Sequence, residues 1–345
     1  EWESGRVGEW ESGLILSLLL FSTGGGVPRL KGMSRKIILD CDPGIDGAVA
    51  ITMALFDPRL NVLAVTSTAG TVDAEQANTN TAAIIAKLDP ARYPRIGSAV
   101  PPLDAPVLDD LHLNGPDGLA GCHFPTATRQ NDHPSDKVMA DLIRRYPGEV
   151  TIVCLGPLSN LARLLRRDPM LIPLIDKVIV SGGAVAHSGN ASAVAEMNFF
   201  FDPTSAREVF ASPTTKSLVP LDVTDSITFG LDLIENLPSE ATRAGWLLHK
   251  ILTYKFRVGH QKLGREVMPL QDAVTMISLV EPELFQWEEM AGDVEVSGTL
   301  TRGMTLFDRR MRPEWKTNME VARRASASDV RDAIIRGLRY AGQQT

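Results

Sequence analysis

The residues best suited to chemistry lie in one short acidic segment near the start of the chain. Asp40, Asp42 and Asp46 follow an apolar run, and Pro43-Gly44 stands between the last two of them. This pattern predicts a strand, a turn and a helix in that order. Side chains two apart in a strand share a face, so Asp40 and Asp42 project together at its carboxyl end, where α/β sheets bind ligands. Three neighbouring carboxylates repel one another, which indicates a site for a hard divalent cation.

Two alternative roles for this acidic segment are weaker. Asp46 could simply cap a helix and Asp42 could belong to a turn, but neither role accounts for Asp40 directly behind Asp42. Haloacid-dehalogenase-like phosphatases also end their first strand in Asp-x-Asp and use Mg²⁺. They need a later acidic pair to hold the metal, and this chain shows no convincing counterpart. The phosphatase hypothesis is therefore a distant alternative.

The elements that must position these residues follow an α/β pattern from Lys36 onward. The predicted strands are residues 36–40, 60–67, 150–155, 177–181 and 216–221. The predicted helices are residues 46–56, 74–88, 135–146, 158–166 and 203–210. Several strands are apolar on both faces, which is typical of a parallel sheet covered by helices. We predict a single α/β domain with a mostly parallel, Rossmann-like central sheet flanked by helices.

Residues 225–270 interrupt this alternation and look mainly helical. The segment contains His249, Tyr254 and His260, whose polar rings suit contacts with a leaving group. A helical segment late in an α/β domain often covers the active-site end of the sheet, and plain packing is the alternative. We predict a helical cover over that end of the sheet.

The first 32 residues differ from the rest of the chain. Glu-Trp-Glu-Ser-Gly occurs at residues 1–5 and again at 9–13, and residues 14–21 form a mostly apolar run. That run is too short to span a bilayer, and its acidic leader is unlike that of a signal peptide. We interpret residues 1–32 as a disordered extension or a translation artefact, with a divergent secretion signal as the alternative. Residues 33–345 form the predicted α/β domain.

The net charge and the cysteine content indicate which binding partners and which cellular compartment to expect. The formal net charge of -7 argues against a nucleic-acid partner, because phosphate binding needs clustered Lys and Arg. The chain also shows no segment suited to a membrane. Cys41, Cys122 and Cys154 cannot all pair in disulfides and have no zinc-site spacing. We expect reduced cysteines, buried at Cys41 and Cys154, in a cytoplasmic protein.

Several ordered fragments resemble one known family. They are Gly189-Asn190, the Ala-Glu-Met-Asn segment of residues 195–198, Asp202-Pro203, the Gly-Pro-Leu-Ser-Asn segment of residues 156–160, and Gly182-Gly183. Together with the acidic segment, they resemble the nucleoside hydrolases, also called inosine-uridine preferring hydrolases, from about Met33 to Gly342. The resemblance implies the nucleoside hydrolase fold. It also implies hydrolysis of the N-glycosidic bond of ribonucleosides, or related N-ribosides, to ribose and free base.

The same resemblance assigns a metal centre. It implies that Asp42, Asp272 and the main-chain carbonyl of Leu155 ligate Ca²⁺, and that Asp42 is the general base that deprotonates a metal-bound water. From the residues alone, Asp272 could equally be a helix N-cap.

The resemblance further implies a ribose site. Asn190 and Glu196 would hold the 5′-hydroxyl, and Asn198 and Asp46 the 2′- and 3′-hydroxyls, with Asp272 also touching the sugar. These side chains supply both donors and acceptors, as a sugar requires. The implied partner is a small-molecule nucleoside, and the implied assembly is a homodimer or homotetramer.

The chain departs from the family pattern on the metal and leaving-group side. Gly47 replaces an Asp that normally ligates calcium, and Gln271 replaces a His that serves as a leaving-group acid in some members. Gly70-Thr71 stands where the family has Gly-Asn, and Asn114-Gly115 where it has His-Gly. Loss of a carboxylate weakens calcium binding.

These departures leave two hypotheses open. One is a weakened hydrolase that relies on another acid, such as His249, Tyr254 or His260. The other is a non-catalytic nucleoside-binding paralogue.

Overall fold

The fold is that of a computed structural model, which describes residues 34–102, 106, 111–122, 124 and 133–345. The predicted extension, residues 1–32, lies outside the described residues. The described strands are β1 Arg35–Cys41, β2 Leu60–Ser67, β3 Arg95–Gly97, β4 Val150–Cys154, β5 Ile175–Ser181, β6 Lys216–Val219, β7 Thr228–Phe229, β8 Met268–Pro269, β9 Phe285–Met290, β10 Gly292–Val294, β11 Thr305–Phe307 and β12 Met319–Ala325.

The described α-helices are α1 Ile45–Phe56, α2 Ala74–Leu88, α3 Leu111–Asn114, α4 Ser135–Arg145, α5 Ser159–Arg167, α6 Met197–Phe201, α7 Pro203–Ala211, α8 Leu221–Thr224, α9 Arg243–Leu263, α10 Gln271–Val280 and α11 Ala327–Gln344. Short 3₁₀-helices span Pro169–Leu174, Leu231–Asn236 and Pro282–Leu284. None of the helices in these ranges has the length and apolar character that a membrane span requires.

The main sheet has the strand order β3-β2-β1-β4-β5-β6-β12-β9. Each neighbouring pair is parallel except β12 and β9, which run antiparallel. The order runs outward from β1 in both directions, through β2 on one side and β4 on the other. The carboxyl ends of β1 and β4 therefore flank the topological switch point, the usual ligand crevice of such sheets.

Two apolar cores cover the faces of this sheet. One packs α1, α9, α10 and α11 against it, with Ile37, Leu39 and Val153 fully buried. The other packs α4, α5 and α7, with Ile38, Ile152 and Val178 fully buried. Alternate residues of β1 enter opposite cores, and β1 is therefore apolar on both faces. The predicted α/β fold with a mostly parallel sheet and flanking helices is confirmed.

The C-terminal part of the sheet was absent from the sequence-based prediction. β9 is an edge strand whose Gln286, Glu288 and Glu289 are exposed, so it lacks an apolar run. β12 pairs with β6 on one side and β9 on the other although its second half is Ala-Arg-Arg-Ala. The segment 225–270 is mainly helical through α9, and it also contains β7 and β8, which pair with each other.

Candidate active site

The candidate site lies at the carboxyl ends of β1, β4 and β5. Asp42 follows β1, Leu155 follows β4, and Ser181 ends β5. Asp272 reaches the same edge from the first turn of α10. Parallel strands end at one edge of the sheet, so residues far apart in sequence meet there.

Asp42 is held rigidly. Its side chain is buried, and its Oδ2 accepts hydrogen bonds from the Thr71 main-chain nitrogen at 2.7 Å and from the Thr71 hydroxyl at 2.9 Å. Glycines line both sides of the carboxylate, because a Cβ at Gly70 would lie 2.2 Å from Oδ2 and one at Gly156 2.8 Å from Oδ1. The loops after β2 and β4 therefore clamp this carboxylate.

Asp272 is the second buried acid of the site. Its Oδ1 is 3.4 Å from the donating Ser181 hydroxyl. Burial raises the pKa of Asp272 well above its usual range, the negative charges of Asp46 and Asp42 raise it further, and the charge of Lys255 opposes the rise. Asp272 is not the N-cap of α10, since Leu270 occupies that position without a side-chain cap. A Cβ built at Gly47 would lie 3.9 Å from Asp272 Oδ2 and 3.8 Å from the Asp42 carbonyl oxygen, so Asp272 lies beside the acidic segment of residues 40–46.

Asn198 joins two strand ends. Its amide nitrogen lies 3.3 Å from the carbonyl oxygens of both Leu155 and Ser181. Its Oδ1 is buried, and no partner for it exists among the described residues. A buried acceptor without a partner is costly, which makes this oxygen a candidate acceptor for a donor on a ligand.

Glu196 and Asn190 lie on the loop after β5. Glu196 caps α6, with its Oε2 accepting from the main-chain nitrogens of Asn198, Phe199 and Gly183. Burial raises the pKa of Glu196 to about 7 against the effect of these hydrogen bonds. Asn190 is exposed, and its Oδ1 accepts from the Met197 nitrogen at 2.8 Å.

Asp40 is buried behind the site. Its Oδ1 accepts from the Thr66 hydroxyl at 2.7 Å and from the Asn160 amide at 2.9 Å. Burial raises the pKa of Asp40 to about 7. The three atoms nearest to a Cβ built at Gly47 belong to Asp42, Asp272 and Pro43, so Asp40 does not replace the missing carboxylate.

Asp46 forms an ion pair that the sequence analysis missed. It lies in the first turn of α1, whose N-cap position is Gly44 rather than Asp46. Its Oδ1 is 2.6 Å from the ammonium of Lys255 on α9. The helical cover therefore brings a positive charge to the acidic cluster.

All three leaving-group candidates lie on α9. His249 contacts the Pro238 carbonyl at 3.1 Å, and His260 pairs with Glu266 at the exposed end of the helix. His249 and Tyr254 line a cavity of about 530 Å³, and none of the acidic cluster is among its described lining residues. Their role in leaving-group contact stays a prediction.

Gln271 has a hydrogen-bond partner in the structure. The Gln271 amide donates to Asp225 Oδ1 at 2.7 Å, and the other Asp225 oxygen lies 3.9 Å from His187 Nε2. His187, which the sequence analysis did not single out, is thus linked to position 271 through Asp225. Gln271 itself cannot donate a proton at neutral pH.

Comparison with known proteins identifies the family. The sequence model described as inosine-uridine preferring nucleoside hydrolase matches residues 37–332. The chain belongs to this nucleoside hydrolase family. Among its relatives are the pyrimidine-specific ribonucleoside hydrolase RihA of Shewanella sp. (strain MR-4), 35% identical over 84% of this chain and 91% of that protein, and the non-specific ribonucleoside hydrolase RihC of Salmonella agona (strain SL483), 34% identical over 84% and 92%.

A solved nucleoside hydrolase supports the same assignment. The purine-preferring ribonucleoside hydrolase from Gardnerella vaginalis superimposes with a TM-score of 0.82 at 25% identity, covering 90% of this chain and 99% of that one. The relatives' names cover pyrimidine-specific, non-specific and purine-preferring nucleoside hydrolases. Membership in the family therefore leaves the base preference open, and it gives the phosphatase hypothesis no support.

The oxygen donors present do not complete the calcium site that the resemblance implies. Calcium takes about six to eight oxygen ligands. Here Asp42 Oδ2 already accepts two hydrogen bonds from Thr71, the Leu155 carbonyl accepts from Asn198, and Gly47 has no side chain to offer. Within the described ranges, no group of three or more His, Cys, Asp or Glu side chains is arranged to hold a metal ion. Calcium binding at this site therefore stays a prediction.

Proposed function

We propose that this nucleoside hydrolase family member cleaves the N-glycosidic bond of ribonucleosides, giving ribose and free base. One observation carries the proposal: Asn198 bonds to the Leu155 and Ser181 carbonyls at the sheet edge where Asp42 and Asp272 are buried, and its own buried Oδ1 has no described partner. Such a set of acceptors suits sugar hydroxyls, which must donate when they enter a dry site.

In this proposal Asp42 is the general base. The two hydrogen bonds from Thr71 fix its carboxylate, so it can take a proton from a water directed at the anomeric carbon. The water oxygen bonds to that carbon as the bond to the base nitrogen breaks. The departing base accepts a proton from solvent water, and Asp42 later returns its own proton to solvent. We assign Asp46, Asn190, Glu196, Asn198 and Asp272 to the sugar.

Release of free base from inosine, uridine and adenosine tests the proposal, with CaCl₂ or EDTA present in parallel reactions. Asp42→Asn should lower turnover by at least about 100-fold, because a general base contributes that much or more. The matched control is Asp141→Asn in α4, which removes an exposed ion pair with Arg95 of β3. Equal turnover in both variants would exclude Asp42 as the base.

The competing hypothesis is a nucleoside-binding paralogue without turnover. Gly47 and Gln271 favour it, because they remove a carboxylate and an acid from the family pattern. Nucleoside binding in calorimetry without base release would support it. Recovery of turnover in Gly47→Asp combined with Gln271→His would then identify these two positions as the cause, whereas robust native turnover would exclude the paralogue.

A further inference from the structure

Lys255 brings a positive charge into the acidic cluster from an apolar helix face. Ile251, Leu252 and Val258, one turn before and one turn after it on α9, are buried. The Lys255 ammonium lies 2.6 Å from Asp46 Oδ1, and the two side chains are 14% and 21% exposed. A lysine on the buried side of a helix needs an acidic partner, and the cluster supplies it.

Position 47 faces the same cluster and holds no charge. A Cβ built on Gly47 lies 3.9 Å from Asp272 Oδ2 and 3.8 Å from the Asp42 carbonyl oxygen, with no closer neighbour. A Cβ at position 47 would therefore make ordinary van der Waals contacts, and it would lie next to the second buried acid. Gly47 adds no carboxylate to Asp42, Asp46 and Asp272, and the Lys255 ammonium pairs with Asp46.

We propose that the Lys255 ammonium is the resident cation of this cluster, and that it holds Asp46 and offsets Asp272 without a divalent ion. Lys255 is then a positioning residue for the ribose end of the site. Only this positioning role at the ribose end rests on the proposed function. Its electrostatic part concerns the folded protein itself, so it can be tested without turnover.

Thermal unfolding tests the electrostatic part. The native chain should unfold at the same temperature in EDTA and in millimolar CaCl₂. Lys255→Met should unfold on the order of 5 °C lower in EDTA, because buried acids lose their counter-charge, and added CaCl₂ should recover much of that loss. Lys255→Arg should behave as the native chain. Lys250→Met, on the exposed side of the same helix, is the matched control and should not respond to calcium.

Calorimetry with CaCl₂ gives a second, independent measurement. The native chain should show no binding, and Gly47→Asp should bind weakly because Lys255 competes for the acids. Gly47→Asp combined with Lys255→Met should bind with a Kd below about 1 mM, as expected once the carboxylate is restored and the ammonium removed. The added Asp lies in the first turn of α1, where a negative charge is favourable.

Three results would overturn the proposal. They are an unfolding temperature of the native chain that falls in EDTA, a Lys255→Met variant that matches Lys250→Met, and equal calcium affinity of Gly47→Asp with and without Lys255. Failure of the proposed function looks different. If no nucleoside is hydrolysed or bound while the unfolding and calorimetry results hold, the ribose assignment is wrong and Lys255 is still the resident cation.

Discussion

Glu196 caps α6 with a buried carboxyl, and its second role, binding the ribose, is a proposal. Its Oε2 accepts main-chain hydrogen bonds at the start of α6. Burial nevertheless raises its pKa to about 7, so the neutral form is favoured in the folded protein below that pH. The residue can therefore cap a helix and still present a proton donor or acceptor to a hydroxyl.

This pKa predicts a pH-dependent stability. Between the ordinary value of 4.5 and about 7, the folded state binds more protons at Glu196 than the unfolded state does, so the free energy of unfolding falls as pH rises through that window. Glu196→Gln should remove the contribution, which amounts to at most about 3 kcal/mol. Urea unfolding across a pH series measures it, with Glu208→Gln, at a partly exposed glutamate that pairs with Arg166, as control. Parallel curves for the native chain and Glu196→Gln would contradict the prediction.

At the scale of elements, the site depends on how closely the loops after the strands approach Asp42. The loops after β2 and β4 come within contact of its carboxylate only because residues 70 and 156 lack side chains. A strand-end loop with any larger residue there would displace the carboxylate from its hydrogen bonds to Thr71. The position of the proposed base, Asp42, therefore depends on the end of β1 and on the loops after β2 and β4.

Gly70→Ala tests this clamp. Its Cβ would lie 2.2 Å from Asp42 Oδ2, so the carboxylate must move, and we expect a loss of about 1–3 kcal/mol of stability. Turnover on nucleosides should fall at least about tenfold, since small displacements of reacting groups are costly. The control is Gly337→Ala in α11, where the nearest atom is Met53 Cε at 3.5 Å. That variant should be neutral or more stable by up to about 1 kcal/mol.

Parts of this arrangement were visible in sequence and parts were not. The apolar strands and the Asp-x-Asp segment predicted β1, α1 and their ligand-binding edge. Lys255 carried a signal of its own, a lysine at helical spacing among apolar residues. Its partner Asp46 lies far away in sequence, and helix periodicity alone cannot identify a partner on another element.

At the scale of the whole molecule, the described elements from Ser34 to the C-terminus form one compact unit. The unit has apolar cores on both faces of its sheet, and residues of this unit form both of them. We expect a chain that begins at Ser34 to unfold within about 2 °C of the full chain, as calorimetry would measure. Aggregation or a clearly lower unfolding temperature would show that the preceding residues contribute to the fold.

The assembly and the cellular setting are proposals at the same scale. We propose a homodimer or homotetramer, from the family resemblance, acting on a small nucleoside in the cytoplasm. Light scattering in solution decides the assembly. The net charge of -7 gives no reason to expect a nucleic-acid partner.

The sequence by itself determined the family, the α/β fold and the acidic strand end, because each depends on local periodicity or on ordered motifs. Through the resemblance, it also led to the prediction that Gly47 and Gln271 depart from the family pattern. Only the tertiary structure decided what surrounds them: Gln271 is bonded to Asp225, the Asp272 carboxylate lies next to position 47, and Lys255 is bonded to Asp46. The physical reason is that these contacts join elements distant in sequence, and only the packing of α9 and α10 at the sheet edge determines which charges meet.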